Sequence, residues 1–222
     1  MKGTLHLILG TPNSERRAIL SQANTPENPS YLFLLPKELG LDDSPRAEWA
    51  WDEDQFEFAD LPEGPVDEFF LFFSNEINLA DQFEATLKVL EKEQELVIGR
   101  VILFINSDLL TNATDQVLAW IDGAGHFSDA ICFTHRKNEN AAAISKCKER
   151  FETMRYPLET YVVGSKKPPS IVRILAPTHR RISHIFDPTD LLDPEDSPQN
   201  DPYLARLPNG RRERSIPYPF RS

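Results

Sequence analysis

The architecture of this chain can be inferred from one segment near its start, Leu5-His-Leu-Ile-Leu-Gly10-Thr-Pro-Asn-Ser-Glu-Arg-Arg17. A short apolar run ends at Gly10, and a helix-like segment begins near Ser14. A buried strand that leads through a short turn into a helix is the unit of an α/β sheet. We therefore predict a strand over residues 4–9 with Gly10 at its carboxyl end, where ligands of such sheets bind.

The same alternation of strand and helix continues along the chain. Five further apolar runs predict strands, at residues 31–35, 68–73, 100–105, 129–134 and 159–163. Most are apolar on both faces, which is typical of strands in a parallel sheet that is covered on two sides. Amphipathic helices are predicted from Leu79 to Glu93 after an Asn78 N-cap, after Thr111, and over residues 139–155. The order of elements predicts a doubly wound, mostly parallel α/β fold over residues 1–164.

The turn after Gly10 has the length of a phosphate-binding loop, G-x-x-x-x-G-K-[ST], but not its side chains. Glu15 stands at the second glycine, Arg16 at the lysine and Arg17 at the Mg²⁺-binding Ser/Thr. Arginine has donors and no acceptor, so Arg17 cannot ligate Mg²⁺. Asn13 tolerates left-handed geometry and is a candidate to replace one glycine.

Over residues 1–163 the chain resembles the CobW-like P-loop GTPases, the metallochaperone family that includes CobW, HypB and UreG. Phe73-Ser-Asn-Glu-Ile-Asn-Leu-Ala-Asp-Gln82 keeps the family's L-A-D, whereas Asn75 falls on its acidic Mg²⁺ partner. Ser128-Asp-Ala-Ile-Cys-Phe-Thr-His-Arg-Lys137 aligns with the guanine-recognition strand and N-K-x-D, with a lysine at the aspartate. The resemblance implies two vestigial nucleotide sites. The phosphate loop comprises Gly10, Asn13, Ser14, Arg16 and Arg17, and the base site comprises Thr134 and Lys137.

Three hypotheses follow. The first is a catalytically degenerate P-loop GTPase-like protein that serves as a binding or scaffold module, has no cofactor and is not an enzyme. The second is a functional nucleotide-binding protein or slow NTPase of the metallochaperone type. It would use GTP or ATP with Mg²⁺, with Arg16 in place of the lysine and Glu76 supplying the metal. The third is a chance resemblance on another α/β fold.

An acidic insertion spans residues 42–68, which hold 11 acidic residues and one arginine around Trp49 and Trp51. It is too long for an ordinary connection in an α/β unit. One interpretation is a solvated loop whose tryptophans pack back on the domain. The other is a docking surface for a basic partner, with the two indoles as anchors.

The C-terminal segment, residues 165–222, is rich in proline and carries 10 basic against 7 acidic residues. After a predicted edge strand at 171–175 we expect an extended tail, either disordered or laid along the domain or a partner. Arg211, Arg212 and Arg214 are candidate partner-binding residues. Residues 1–164 hold 14 basic against 28 acidic residues, so contact with the protein's own acidic face or a second subunit is favoured over nucleic acid.

Composition limits the remaining possibilities. The net charge of −11 and a hydrophobic fraction of 40% favour a folded, soluble protein. No signal peptide or membrane-spanning run is found, so a cytoplasmic location without membrane contact is expected. Cys132 and Cys147 are expected to be buried, reduced thiols, and no cluster has metal-site spacing.

Overall fold

The computed structural model describes residues 1–40, 44–164, 170–188, 192–193 and 196–221. Within these ranges eight strands form one sheet in the order β4-β3-β2-β5-β1-β6-β7-β8, and every neighbouring pair is parallel except β3 and β4. The strands are β1 Lys2–Gly10, β2 Ser30–Leu34, β3 Arg46–Asp52, β4 Gln55–Phe58, β5 Glu68–Phe72, β6 Glu95–Asn106, β7 Ala130–Thr134 and β8 Glu159–Val162. The predicted mostly parallel α/β sheet is therefore confirmed.

Among the described residues there are three long helices and three short ones. The helices are α1 Arg16–Leu20, α2 Leu79–Lys92, α3 Ser107–Leu110, α4 Asp115–His126, α5 Ala141–Thr153 and α6 Ile171–Ile174. The predicted start of α2 is confirmed, because the Asn78 side chain accepts hydrogen bonds from the backbone N–H groups of Ala80 and Asp81. The helices α2, α4 and α5 connect strands that advance in one direction across the sheet, so right-handed crossovers place them on one face.

The central strand is β1, which lies between β5 and β6. Residues 5–10 of β1 are buried throughout. The carboxyl ends of these three parallel strands meet at one edge of the sheet. The turn after Gly10 and the segments after Phe72 and Asn106 therefore lie beside one another, as a ligand site on this fold requires.

Residues 46–58 of the acidic insertion form a pair of strands and not a loop, which corrects the sequence-based expectation, whereas the expected packing of the tryptophans on the domain is confirmed for Trp49. Its described part, from residue 44 onward, contains β3 and β4, which pair as an antiparallel hairpin. Glu53 and Asp54 form its two-residue turn with φ angles of 42° and 57°, the left-handed geometry that matches the twist of a hairpin. Trp49 is 2% exposed, and its indole N–H donates to the carbonyl of Phe72 at 2.9 Å. The insertion is thus part of the sheet.

The described parts of the C-terminal segment lie along the domain, one of the two expected arrangements. Residues Ile185, Tyr203, Leu204 and Ile216 join the main hydrophobic cluster. Asp201 accepts a 2.8 Å hydrogen bond from buried His126 at the end of α4. The predicted edge strand at 171–175 is wrong, since residues 171–174 form α6.

Three composition-based expectations can be compared with the described residues. Cys132 and Cys147 are buried and free of disulfides. Among those same parts of the chain, no helix is both long enough and apolar enough to cross a bilayer. Also within them, no group of three or more His, Cys, Asp or Glu side chains is arranged to hold a metal ion.

Candidate functional site

The turn after β1 keeps the path of a phosphate loop. Asn13 and Glu15 have φ angles of 54° and 55°, so two side-chain-bearing residues adopt the left-handed geometry that glycines adopt readily. The expectation for Asn13 is confirmed in this respect. The helix that follows, α1, has only five residues. The Glu15 side chain at its N-cap makes no capping hydrogen bond. Such a helix has little aligned dipole with which to bind a phosphate.

Arg16 is directed into the sheet. Its side chain is 7% exposed, and Nη1 donates to the carbonyl oxygens of Ile8 at 2.9 Å and Phe73 at 2.8 Å. Its Nε and Nη2 lie 2.8 and 2.7 Å from one carboxylate oxygen of Glu38. These contacts occupy the guanidinium with protein acceptors, so Arg16 is not presented to the loop. The predicted phosphate-binding role of Arg16 does not agree with this geometry, because its donors are bound beneath the turn.

Gly10 is needed here for close packing. A Cβ atom at this position would lie 2.6 Å from Ser14 Oγ and 2.9 Å from Arg16 Cδ. Ser14 is itself buried, and its hydroxyl therefore fills space beside the Gly10 backbone. Arg17 donates to the Glu38 carbonyl. The residues predicted as a phosphate loop thus pack against one another and against Glu38.

A cleft of about 610 Å³ adjoins this turn. Asn75 lines it at the position expected for the acidic Mg²⁺ partner, and its amide lies 3.4 Å from the Gly10 carbonyl oxygen. Glu76, the alternative metal ligand, forms a 2.7 Å ion pair with Lys37. Phe220, from the C-terminal segment, lines the same cleft. The carboxylate considered as the alternative metal ligand is therefore already paired with a cation.

The residues of the predicted base site lie at the end of β7. Thr134 is fully buried, with its hydroxyl 3.2 Å from the Ile105 carbonyl oxygen. Lys137 donates to Asp108 at 2.6 Å, and Asn140 donates to the other oxygen of that carboxylate at 3.0 Å. The hydrogen bond from Lys137, followed by that from Asn140, lowers the pKa of Asp108 despite some desolvation. Lys137 thus holds a carboxylate where the guanine-reading aspartate would be expected.

The predicted partner-binding residues occupy different environments. Trp49 is a core residue, so its predicted role as an exposed anchor is wrong; Trp51 is half-buried and packs edge-on against Phe56. Arg212 is bound within the chain by Asp81 and Glu84 of α2. This contact agrees with one of the two expected arrangements, in which the tail meets the protein's own acidic face and not that of a second subunit.

The other two tail arginines are more exposed. The Arg214 guanidinium lies over the ring of Tyr203, with its carbon 4.7 Å from the ring centroid. Arg211 is exposed next to the bound Arg212. These two residues remain available for a partner, and their predicted role stays a prediction.

Sequence reasoning missed Glu38 and Asp108. Glu38 ends a one-turn 3₁₀ helix at Pro36–Glu38, 22 residues after Arg16, and no periodic pattern connects the two. Asp108 has a weak signal, because Asn106-Ser-Asp directly follows β6 and the Asn106 side chain accepts from the Asp108 N–H. Both carboxylates neutralise cations that stand at motif positions.

These residues do not fit a magnesium-bound nucleoside triphosphate. The cation at the lysine position is buried in other contacts, the Mg²⁺-ligand position holds Arg17, and the acidic partner is Asn75. Charge neutralisation by metal and lysine is central to phosphoryl transfer. No catalytic step through such a nucleotide can be derived from this arrangement.

Two solved structures are similar to the chain. One is the crystal structure of the Zn(II)-bound YjiA GTPase from E. coli, with a TM-score of 0.55 and 11% identity over 81% of this chain and 63% of that chain. The other is a Zn(II)-bound triple mutant of YjiA, with a TM-score of 0.55 and 10% identity over 80% and 62% of the two chains. This chain therefore spans less than two thirds of the GTPase it matches.

No protein-family model matches the sequence, and no curated protein matches it either. The structural likeness establishes a P-loop GTPase-like fold, as the resemblance to CobW-like GTPases implied, and argues against the hypothesis of a different α/β fold. Since one fold hosts many functions, the activity has to be argued from the site itself.

Proposed function

We propose that this chain is a catalytically silent binding module on a P-loop GTPase-like fold. The observation that carries the proposal is the side chain of Arg16, which stands at the lysine position but is bound by Glu38 and by the carbonyls of Ile8 and Phe73. Turning Arg16 toward a phosphate would leave these three acceptors without it. An unsatisfied buried acceptor costs about 1–3 kcal/mol, and more when it is charged.

Two further contacts support the same conclusion. Glu76 is paired with Lys37, and Lys137 is paired with Asp108. A nucleotide would have to break several of these contacts at once. The competing proposal, a functional nucleotide-binding protein or slow NTPase of the metallochaperone type, requires Arg16 and Glu76 to leave their partners.

The partner of such a module is expected to be a protein. The net charge of residues 1–164 is −14, which opposes binding to a polyanion. One tail arginine, Arg212, is already bound by two carboxylates of α2. We accordingly expect protein contacts without membrane or nucleic acid, in the cytoplasm, and treat self-association through the exposed tail arginines as a hypothesis.

The test is a titration of the full chain with fluorescent GTP and ATP, with and without Mg²⁺, beside a P-loop GTPase whose motifs are intact. We expect no saturable binding at nucleotide concentrations up to about 1 mM, a binding free energy weaker than about −4 kcal/mol. Phosphate release should equal the buffer blank. Micromolar, Mg²⁺-dependent binding would overturn the proposal and favour the nucleotide-binding alternative.

A further inference from the structure

The last described residues of the chain, 215–221, lie against helix α4 through two apolar anchors, and we call them the strap. Ile216 is 4% exposed and fills the space beside Gly123, where an added Cβ atom would lie 2.8 Å from Ile216 Cγ1. The Phe220 ring meets the buried Trp120 ring edge-on, with the two centroids 5.1 Å apart. Residues three positions apart in a helix share one side of it. Both anchors therefore hold the strap to the same side of α4.

The strap has little polar attachment to the domain. Among the described residues, its backbone hydrogen bonding is internal, from the Arg221 N–H to the Tyr218 carbonyl oxygen at 3.4 Å. Pro217 and Pro219 have no N–H to donate. The residue before a proline favours extended geometry, so the strap stays extended without pairing to another strand.

The segment just before the strap is held differently. Glu213 and Arg214 donate backbone hydrogen bonds to the carbonyls of Ala205 and Pro202, both at 2.9 Å. The side chain of Arg212 is bound by two carboxylates of α2. A segment with few backbone hydrogen bonds opens at a lower free energy than neighbours that have them. The change in bonding therefore places a hinge directly after Arg214.

Phe220 connects the strap to the cleft beside the turn after β1. The other residues that line this cleft come from the turn itself, residues 11–17, and from residues 37–39 and 75–76. These segments follow strands of the sheet or precede its helices, whereas Phe220 reaches the cleft only because the strap lies on α4. Lifting the strap would withdraw Phe220 from the cleft and would expose Trp120.

We propose that the strap is a movable wall of this cleft. The wall is closed while Ile216 and Phe220 are seated on α4, and it opens when the strap lifts about the hinge after Arg214. This inference rests on the proposed role as a binding module and names how access to its cleft is controlled. A ligand too large for the closed cleft binds only the open form, so its apparent affinity is reduced by the fraction of open molecules.

The test uses a reporter thiol in the cleft of the full-length protein. Asn75 lines the cleft and is 8% exposed, and Asn75→Cys is labelled with an aromatic disulfide reagent. Adding Phe220→Ala should raise the labelling rate about tenfold, because labelling follows the population of the open form. The matched control is Tyr218→Ala, which removes a 42% exposed ring from the same strap and should leave the rate within about twofold. Equal rates in the two variants would overturn the proposal.

A second variant leaves the strap and the cleft residues unchanged. Gly123→Ala adds a Cβ atom that collides with Ile216, although alanine favours the helix more than glycine does. It should raise the labelling rate of the reporter more than about threefold. The buried Cys132 and Cys147 should stay unlabelled, which shows that the domain remains folded. An unchanged reporter rate in this variant would refute the anchoring of the strap on α4.

A nucleotide titration of Phe220→Ala separates this proposal from that of a silent site. Faster labelling without nucleotide binding supports both. Unchanged labelling without nucleotide binding overturns only the movable wall. Faster labelling together with micromolar, Mg²⁺-dependent binding supports the movable wall and overturns the silent site, because the strap and not Arg16 would then be what excludes the nucleotide.

Discussion

Arg212 provides the clearest test of how the C-terminal segment is held. Its side chain is 7% exposed. Nη2 donates to Asp81 at 2.5 Å and to Glu84 at 2.7 Å. Nη1 donates to the other Glu84 oxygen at 2.7 Å and to the Leu204 carbonyl at 2.8 Å. Its neighbour Arg211 is exposed. The substitutions Arg212→Ala and Arg211→Ala remove the same charge from adjacent positions, so only the bound guanidinium distinguishes them.

The expected magnitude lies between two limits. Removing one partner of a fully buried pair costs about 3–5 kcal/mol, whereas an exposed pair contributes about 0–1 kcal/mol. The Asp81 and Glu84 side chains keep 32% and 37% exposure and can rehydrate when Arg212 is removed. We therefore expect Arg212→Ala to destabilise the fold by about 2–3 kcal/mol, or roughly 4–12 °C in Tm for a chain of this size.

Thermal and urea unfolding of the two variants measure this difference. Arg211→Ala should remain within about 0.5 kcal/mol of the wild type. If both variants unfold alike, or if Arg212→Ala shifts Tm by less than roughly 2 °C, the tail is not held by this ion-pair cluster. The reasoning about how the segment around Arg212 is held would then be refuted.

The pH dependence of stability provides a second test of the contact between Arg212 and Glu84. Burial raises the pKa of Glu84, but the hydrogen bonds from Arg212 and then Arg206 outweigh it, and the net pKa is below the ordinary 4.5. A carboxylate with a depressed folded-state pKa contributes stability above its unfolded pKa and loses it as pH falls through the folded value. The stability difference between wild type and Arg212→Ala should thus be full near neutral pH and shrink below about pH 4.5.

Three further substitutions or reactions test other parts of the structure. Trp49→Phe should destabilise by about 1–3 kcal/mol, since it leaves a buried β5 carbonyl without its donor, while Trp51→Phe should cost under about 1 kcal/mol in the same urea titration. Arg16→Lys should lower stability by about 2–4 kcal/mol, because one ammonium cannot replace the fork of a guanidinium, and should give no nucleotide binding by fluorescence. Burial raises the pKa of both thiols, that of Cys147 to about 12, so an aromatic disulfide reagent should label neither cysteine in native protein and both after denaturation.

Periodicity was sufficient to predict the frame of the fold. The six strands predicted within residues 1–164 and the three long helices are all present, because each is an apolar run or an amphipathic stripe that can be recognised in the local sequence. The seventh predicted strand, at 171–175, is a helix instead. Boundaries were less accurate. The strand β6 begins at Glu95 instead of residue 100, since Glu95–Ile98 pairs with the start of β1 although its own alternation is weak. Which distant strands pair cannot be predicted from the sequence of either strand alone.

The sequence analysis did not predict the hairpin, because its many acidic residues favoured a loop over the alternation of apolar and polar residues that indicates strands. Buried Ala47 and Trp49 alternate with polar or exposed neighbours in β3, and Phe56 and Phe58 alternate with Gln55 and Glu57 in β4. Such alternation is the signal of a half-buried strand. Its turn, Glu53-Asp54, lacks the glycine or asparagine that usually indicates a two-residue hairpin. The acidic composition therefore led to the prediction of a loop, whereas the alternation of apolar and polar residues indicates two strands.

The position of the candidate site could be predicted from the sequence, but the ion pairs between its residues could not. The turn and its motif positions follow from the spacing after Gly10. The ion pairs that occupy them join residues far apart, 22 positions between Arg16 and Glu38 and 29 between Asp108 and Lys137. No local pattern predicts which carboxylate meets which cation. Only the assembled sheet brings these partners together.

The geometry at Gly10 explains how the turn after β1 can keep the shape of a phosphate loop without binding a phosphate. The backbone retains its turn through Asn13 and Glu15, both in left-handed conformation. Gly10 is required by the close approach of Ser14 and Arg16, which is a packing reason rather than a ligand reason. Under the proposed function, restoring a lysine at position 16 would leave Glu38 with a poorer partner while α1 remained a single turn. The arrangement is therefore stabilised as a unit, and a return to phosphate binding would need several simultaneous changes in the loop, the helix and the acidic residue that holds Arg16.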